Sequence, residues 1–209
     1  MNDLFQRHTG IAAPFMHDNV DTDTIIPSRE MRSGTKSGMS DGLFADWRYT
    51  NRQSRELNPE FVLNQEAFRD ASILLTGRNF GCGSSREHAV WALREFGFRC
   101  FIGHSFSSIF AHNCVRNGIL TVRLGAAQLQ QLVSRAVDPL QSNQLTVNLE
   151  TQQITVDDQI IQFDYPQRLR GLLLSGLDPI RYTQRLQNEL DAWRENDMKV
   201  RPWLYGYGK

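Results

Sequence analysis

Between residues 71 and 124 the chain repeats a single pattern, in which short apolar runs alternate with stretches whose apolar residues lie three and four positions apart. Residues 71–75 read as a buried strand; Ala89, Val90, Leu93 and Phe96 mark one face of a helix, and residues 100–103 read as the next strand. A second helix over 105–116 stops at Asn117-Gly118, and a third strand follows over 119–123. Such alternation predicts an α/β fold with parallel strands joined by right-handed crossovers. Ligands in sheets of this kind sit at the carboxyl ends of the strands.

The loop at the first of those ends is glycine-rich. Gly77, Gly81 and Gly83 let the backbone take positive φ and approach a ligand, and the helix start beyond them offers unpaired N–H groups and a positive dipole end. Ser84, Ser85 and Arg86 add two hydroxyls and a guanidinium, which fits a carboxylate or phosphate with two prongs. The same residues also admit a reading without a ligand, because Ser84 with Glu87 three positions on makes a capping box. Familiar nucleotide motifs fail: no Gly-Lys-Ser/Thr ending follows, and Arg86 stands where a dinucleotide fingerprint needs its third glycine. A serine-hydrolase elbow fails too, since glycines do not flank either serine at two positions on both sides.

Upstream, Asp18, Asp21 and Asp23 fall within six residues and precede Ile25-Ile26-Pro27. Thr24 and Ile25 stand where a calcium loop wants an oxygen ligand and a glycine, so an Asx-rich turn before a short strand is the plain reading. Together, the phrases 19–27 and 79–89 resemble the two hallmarks of the aconitase superfamily's swivel domain. Within that superfamily they are most similar to the small-subunit family of bacterial 3-isopropylmalate dehydratases. The resemblance runs from about residue 8 to 124 and more weakly through the tail.

This resemblance implies a swivelling β/β/α three-layer domain with a parallel core and added antiparallel strands. It implies a hydro-lyase that isomerises 2-isopropylmalate to 3-isopropylmalate by removing and re-adding water in leucine biosynthesis. A large subunit would be the partner, carrying a four-iron four-sulfur cluster, with no cofactor on this chain. By positional match Ser84 would be the base, Ser85 a hydrogen-bonding group and Arg86 a clamp on a substrate carboxylate. Asp21, Asp23 and Thr24 would hold neighbouring loops and basic groups in place, and His88 would help orient the site. In relatives the loop after the Asp-Thr-Asp element folds over the substrate and supplies an arginine; Arg29, Arg32 and Lys36 are the candidates here. The loop departs from the family's Arg-Thr-Gly-Phe-Gly-like stretch at residues 35–39, which keeps citraconate, citramalate or a dimethylmalate open as the acid. A non-enzymatic anion-binding assembly protein is the reading from a different class.

A serine hydroxyl is a poor base, and a helix start offers at most about 2 kcal/mol, or roughly 1.5 pKa units. Arg86, the loop N–H groups and exclusion of water at a closed subunit interface must therefore supply the rest. On this reading the chain alone is inactive.

Composition agrees with a small-molecule enzyme subunit. The chain has 209 residues and balances 23 basic against 23 acidic residues, which disfavours a nucleic-acid or membrane-surface role. No apolar run approaches the roughly 20 residues of a membrane span and the start lacks a signal pattern, so a cytoplasmic location is expected. Cys82, Cys100 and Cys114 are odd in number and lack Cys-x-x-Cys spacing, as reduced thiols would be. Cys82 lies near the helix start, a position that can lower a thiol's pKa, but the plain reading is a small packed residue. His8, His17, His104 and His112 have no ligand-like spacing.

One domain is expected, with its core over about 5–165 and a helical extension over about 166–209. Residues 5–14 read as an opening strand with a turn at Gly10, and 28–42 as a mobile surface loop that supplies no core. A helix is predicted over 126–137, antiparallel strands over 145–149 and 154–163, helices over 166–174 and 179–193, and a frayed aromatic tail.

Overall fold

In the computed structural model, which describes residues 4–31, 37–83, 86–138, 140–177 and 179–206, strand β1 (Arg7–Phe15) lies between two unlike neighbours. The other strands are β2 (Tyr49–Asn51), β3 (Glu56–Leu57), β4 (Ala71–Thr76), β5 (Cys100–Gly103), β6 (Leu120–Arg123), β7 (Gln144–Asn148), β8 (Gln153–Val156) and β9 (Gln159–Gln162). The helices are α1 (Thr22–Ile25), α2 (Ala45–Arg48), α3 (His88–Phe96), α4 (Ser108–Arg116), α5 (Ala126–Val137), α6 (Gln167–Ser175), α7 (Pro179–Gln184) and α8 (Gln187–Val200). A seven-stranded sheet runs in the order β6-β5-β4-β1-β7-β8-β9, and β2 and β3 form a separate pair.

β1 pairs in parallel with β4 and antiparallel with β7, so it joins a parallel half to an antiparallel half. Burial explains why the two halves read differently in sequence. Every residue of β5 and all but one of β4 are buried, giving continuous apolar runs, because helices cover both faces of a parallel sheet. Leu145, Val147, Ile154 and Val156 alternate with less buried residues, as strands covered on one side do. One core layer packs α3 and α4 with Phe15, Phe44, Phe80, Phe101 and Phe110. The other packs α5 and α6 with Ile73, Ile102 and Val122.

The parallel core and the added antiparallel strands are as expected, and several local readings are corrected. β1 runs through Gly10 without a turn, its irregularity being a register shift between Ile11 and Ala12. Ile25 ends a one-turn helix rather than entering a strand, because the Asp21 side chain caps it by accepting from the Thr24 amide at 2.6 Å. The segment 28–42 does supply core: Met39 is fully buried, and the Glu95 carboxylate accepts from the amides of Gly38, Met39 and Ser40 at 2.5, 2.6 and 2.9 Å. The single helix expected over 179–193 is two, α7 and α8. The tail, to residue 206, folds back on α8, where the Tyr205 hydroxyl donates to Asp197 at 2.8 Å.

Candidate active site

Three loops leave the carboxyl ends of the neighbouring strands β1, β4 and β5, and they continue the sheet's pairing beyond its edge. The Asn19 amide donates to Arg78 O at 2.8 Å, the Gly81 amide to Val20 O at 2.8 Å, and the Thr22 amide to Cys82 O at 3.0 Å. On the other side the Phe80 amide donates to Ser105 O at 3.1 Å and the Ser107 amide to Phe80 O at 3.0 Å. The glycine-rich loop is thus held between the Asp-rich loop and the loop after β5, with isolated parallel bridges Asp21–Cys82 and Phe80–Phe106. Phe80 is fully buried and makes an edge contact with Phe110, ring centroids 5.4 Å apart. Burying such a side chain contributes about 1.5–3 kcal/mol, enough to fix the middle of a loop that has little else apolar.

Glycine is required here for two different reasons. Gly83 has φ +85°, and a Cβ on it would lie 3.2 Å from the Asp21 Cβ. At Gly77 φ is not positive; a Cβ there would come within 2.5 Å of both Asp18 Oδ1 and His17 O, so its role is close approach alone. The freed space lets Asp18 Oδ1 accept from the Arg78 amide at 2.6 Å.

Arg86 is where the two sequence hallmarks meet. Its Nη1 donates to Asp23 Oδ1 at 2.6 Å and to Ser28 Oγ at 2.7 Å, and Ser28 Oγ donates to Asp23 Oδ1 at 3.3 Å. Ser28 was not singled out in the sequence; its position just after Ile26-Pro27 and beside the Asp-Thr-Asp element was the available signal. Asp21 and Thr24 act on each other through the helix cap rather than on Arg86. The Thr22 hydroxyl is buried without a hydrogen-bond partner and would lie 3.9 Å from a Cβ on Gly83.

The remaining candidates divide. Ser84, Ser85, Arg32 and Lys36 lie outside the described residues. Arg29 is taken up in an ion pair with Asp46, which Arg52 also approaches at 2.8 Å. α3 begins at His88 with Glu87 at its N-cap position and no side-chain cap bond, so the Ser84–Glu87 capping box is not the one that starts this helix. The Glu87 carboxylate instead accepts from Asn117 Nδ2 at 2.7 Å. His88 is half-buried, packs on Trp91 with ring centroids 4.9 Å apart, and keeps Nδ1 buried without a partner.

Cys82 follows the plain reading of a packed residue: burial first, and then the nearby Asp21 charge, push its thiol up rather than down. Its Sγ donates to Asn19 O at 3.3 Å, a packing contact that holds the two loops together. Burial also pushes the Cys100 and Cys114 thiols up. Among the described residues no group of three or more His, Cys, Asp or Glu side chains could hold a metal ion. Nor, among those residues, is any helix long and apolar enough to cross a membrane.

Comparison with known proteins decides among the readings. Residues 2–127 match the aconitase C-terminal domain. The chain is 46% identical over 202 residues to the 3-isopropylmalate dehydratase small subunit of Cupriavidus necator, covering 96% of this chain and 97% of that one. It is 45% identical to the protein of the same name from Rhizobium johnstonii, covering 96% and 98% of the two chains. The chain belongs to the 3-isopropylmalate dehydratase small-subunit family. A crystal structure of 3-isopropylmalate dehydratase from Methanocaldococcus jannaschii shares its fold, with a TM-score of 0.61 at 22% identity over 89% of this chain and 98% of that one. Members of this small-subunit family serve a hydro-lyase of leucine biosynthesis, and a small subunit works with a large one. The non-enzymatic assembly protein is set aside by this membership.

Proposed function

We propose that this chain supplies the carboxylate clamp and the proton-abstracting face of a site that dehydrates 2-isopropylmalate and rehydrates the product to 3-isopropylmalate. The observation that carries the reading is the Asp23–Arg86–Ser28 contact, which holds one guanidinium nitrogen by two short bonds at the mouth of the glycine-rich loop. A guanidinium fixed on one edge has its rotation removed before a substrate arrives, and its other edge can take a carboxylate. Arg86 then orients the diacid, and Ser84, by its place in the motif, takes the proton from the substrate carbon at Oγ. α3 begins only at His88, four positions after Ser84 in sequence, and this reading therefore puts more of the task on Arg86 and on exclusion of water than on the helix start.

The described residues do not fit an iron–sulfur cluster, and we place the four-iron four-sulfur group on the large subunit. When bound there, such a cluster supplies Lewis-acid chemistry toward the substrate hydroxyl. Core and C-terminal extension act as one cytoplasmic unit whose site is completed by that subunit, without nucleic acid or membrane. Anaerobic reconstitution with a large subunit tests this reading, by following interconversion of the isopropylmalates beside citraconate and dimethylmalate. We expect turnover of isopropylmalate by the pair and none by this chain alone. Turnover without the partner, or full turnover by Arg86→Ala, overturns it.

A further inference from the structure

A cavity of about 580 Å³ lies at the open edge of the main sheet, and no residue of the glycine-rich loop lines it. It is bounded by edge strand β6, by α4 and by the residues that lead into α6. Thr121 and Arg123 are two apart on β6 and therefore share a face, and both line the cavity with Asp164 and Tyr165. Ala111 and Leu169 supply apolar walls.

The polar groups here are only partly satisfied by the protein: His112 Nδ1 meets Ser108 O at 2.7 Å, while the phenol and the two charges keep bonding capacity. Tyr165 Oη is buried and, although beside Thr121, completes no hydrogen bond of ordinary geometry. Burial pushes the phenol up, so it stays protonated and offers a donor. Buried hydroxyls in folded proteins nearly always find a partner, and a ligand acceptor would provide one. Arg123 and Asp164 are both exposed, and among the described residues neither forms an ion pair or side-chain hydrogen bond. Two opposite charges line one small cavity without closing on each other, which suits a ligand that carries both.

We propose that this cavity binds an aliphatic α-amino acid. Its carboxylate meets the Arg123 guanidinium and the Thr121 and Tyr165 hydroxyls, its ammonium meets Asp164, and its side chain lies against Ala111 and Leu169. A simple carboxylate would leave Asp164 facing an anion, and a simple amine would leave Arg123 and the phenol unused. The volume falls within the range of small-molecule pockets.

Calorimetric titration of the full chain with L-leucine tests the proposal, with 4-methylpentanoate and 3-methylbutylamine as analogues lacking one charge each. L-leucine is expected to bind saturably and each analogue at least about tenfold more weakly, as loss of a charge-assisted bond implies. Arg123→Met and Asp164→Asn should each weaken L-leucine binding by about tenfold with unchanged thermal melting, and Tyr165→Phe by less. Absence of saturation at millimolar L-leucine, equal binding of either analogue, or unchanged affinity in both charge variants overturns it.

Discussion

Asn79 Nδ2 donates to Asn19 Oδ1 at 2.9 Å, and both residues hold the left-handed backbone, with φ of 54° and 56°. Each is the residue at which its loop turns, so one amide-to-amide contact ties the turn of the Asp-rich loop to the turn of the glycine-rich loop. Asparagine tolerates this conformation better than other residues with a Cβ. Asn79→Ala is expected to cost about 1–2 kcal/mol, from a lost hydrogen bond and a strained backbone. Asn79→Gly relieves the backbone and keeps only the loss of the contact. Thermal melting of both, beside turnover of the reconstituted enzyme, separates the two effects: Gly should melt nearer the parent than Ala, while both lose rate.

The contact of Arg86 with Asp23 and Ser28 predicts a different signature. Both ion-pair partners are substantially exposed, so Asp23→Asn should change stability by less than about 1 kcal/mol. It should nevertheless lower kcat/KM, because the guanidinium is no longer held for the substrate. Arg86→Lys keeps the charge and loses the planar fork, and about a tenfold or greater loss in kcat/KM is expected. Ser28→Ala should fall between parent and Asp23→Asn. Steady-state kinetics on the reconstituted pair decide this; an Asp23→Asn enzyme with parental kcat/KM would remove the positioning role.

Much of the site was legible because its residues sit in two short phrases whose chemistry is local. The strand, loop and helix around residue 80 follow from apolar spacing, and Gly81 and Gly83 do hold positive φ. What escaped depends on contacts between residues far apart in sequence, such as Ser28 with Arg86, 58 positions on. No periodicity signals that a serine in a polar loop will meet a guanidinium. The segment 28–42 misled for a related reason: its composition is that of a solvated loop, yet Met39 is buried in the core and Met31 packs against it. Likewise Gly10 looked like a turn because turns favour glycine, whereas a central strand with partners on both sides kept the chain extended.

Glu95 gives that misread segment its own test. One carboxylate accepts from three successive amides, Gly38, Met39 and Ser40, although the side chain belongs to α3. The residue is exposed, which discounts the energy, and Glu95→Ala is expected to destabilise by about 1 kcal/mol. The larger effect should be local. Freed of its anchor, the backbone around residue 38 should become more susceptible to limited proteolysis and exchange its amides faster, while α3 stays protected. Glu95→Gln keeps one acceptor oxygen and should fall between the two. Hydrogen exchange resolved to peptides checks this, and an unchanged 37–43 peptide in Glu95→Ala would count against the anchor.

Cys82 supplies a prediction with a definite pH direction. Its thiol is pushed above the ordinary cysteine value by burial and by the Asp21 charge, so at neutral pH the nucleophilic thiolate is scarcer than in an unperturbed cysteine. Alkylation by iodoacetamide should therefore be slower than for a free thiol at pH 7 and should climb toward the free-thiol rate only at pH values above the ordinary thiol range. Asp21→Asn removes the repelling charge and should shift the profile to lower pH, although it also weakens the cap on α1. Cys82→Ser retains a donor for Asn19 O at 3.3 Å and is expected to keep most activity, since the thiol packs rather than reacts. A Cys82 that alkylates rapidly at neutral pH, with inactivation of the reconstituted enzyme prevented by substrate, would count against a packing role.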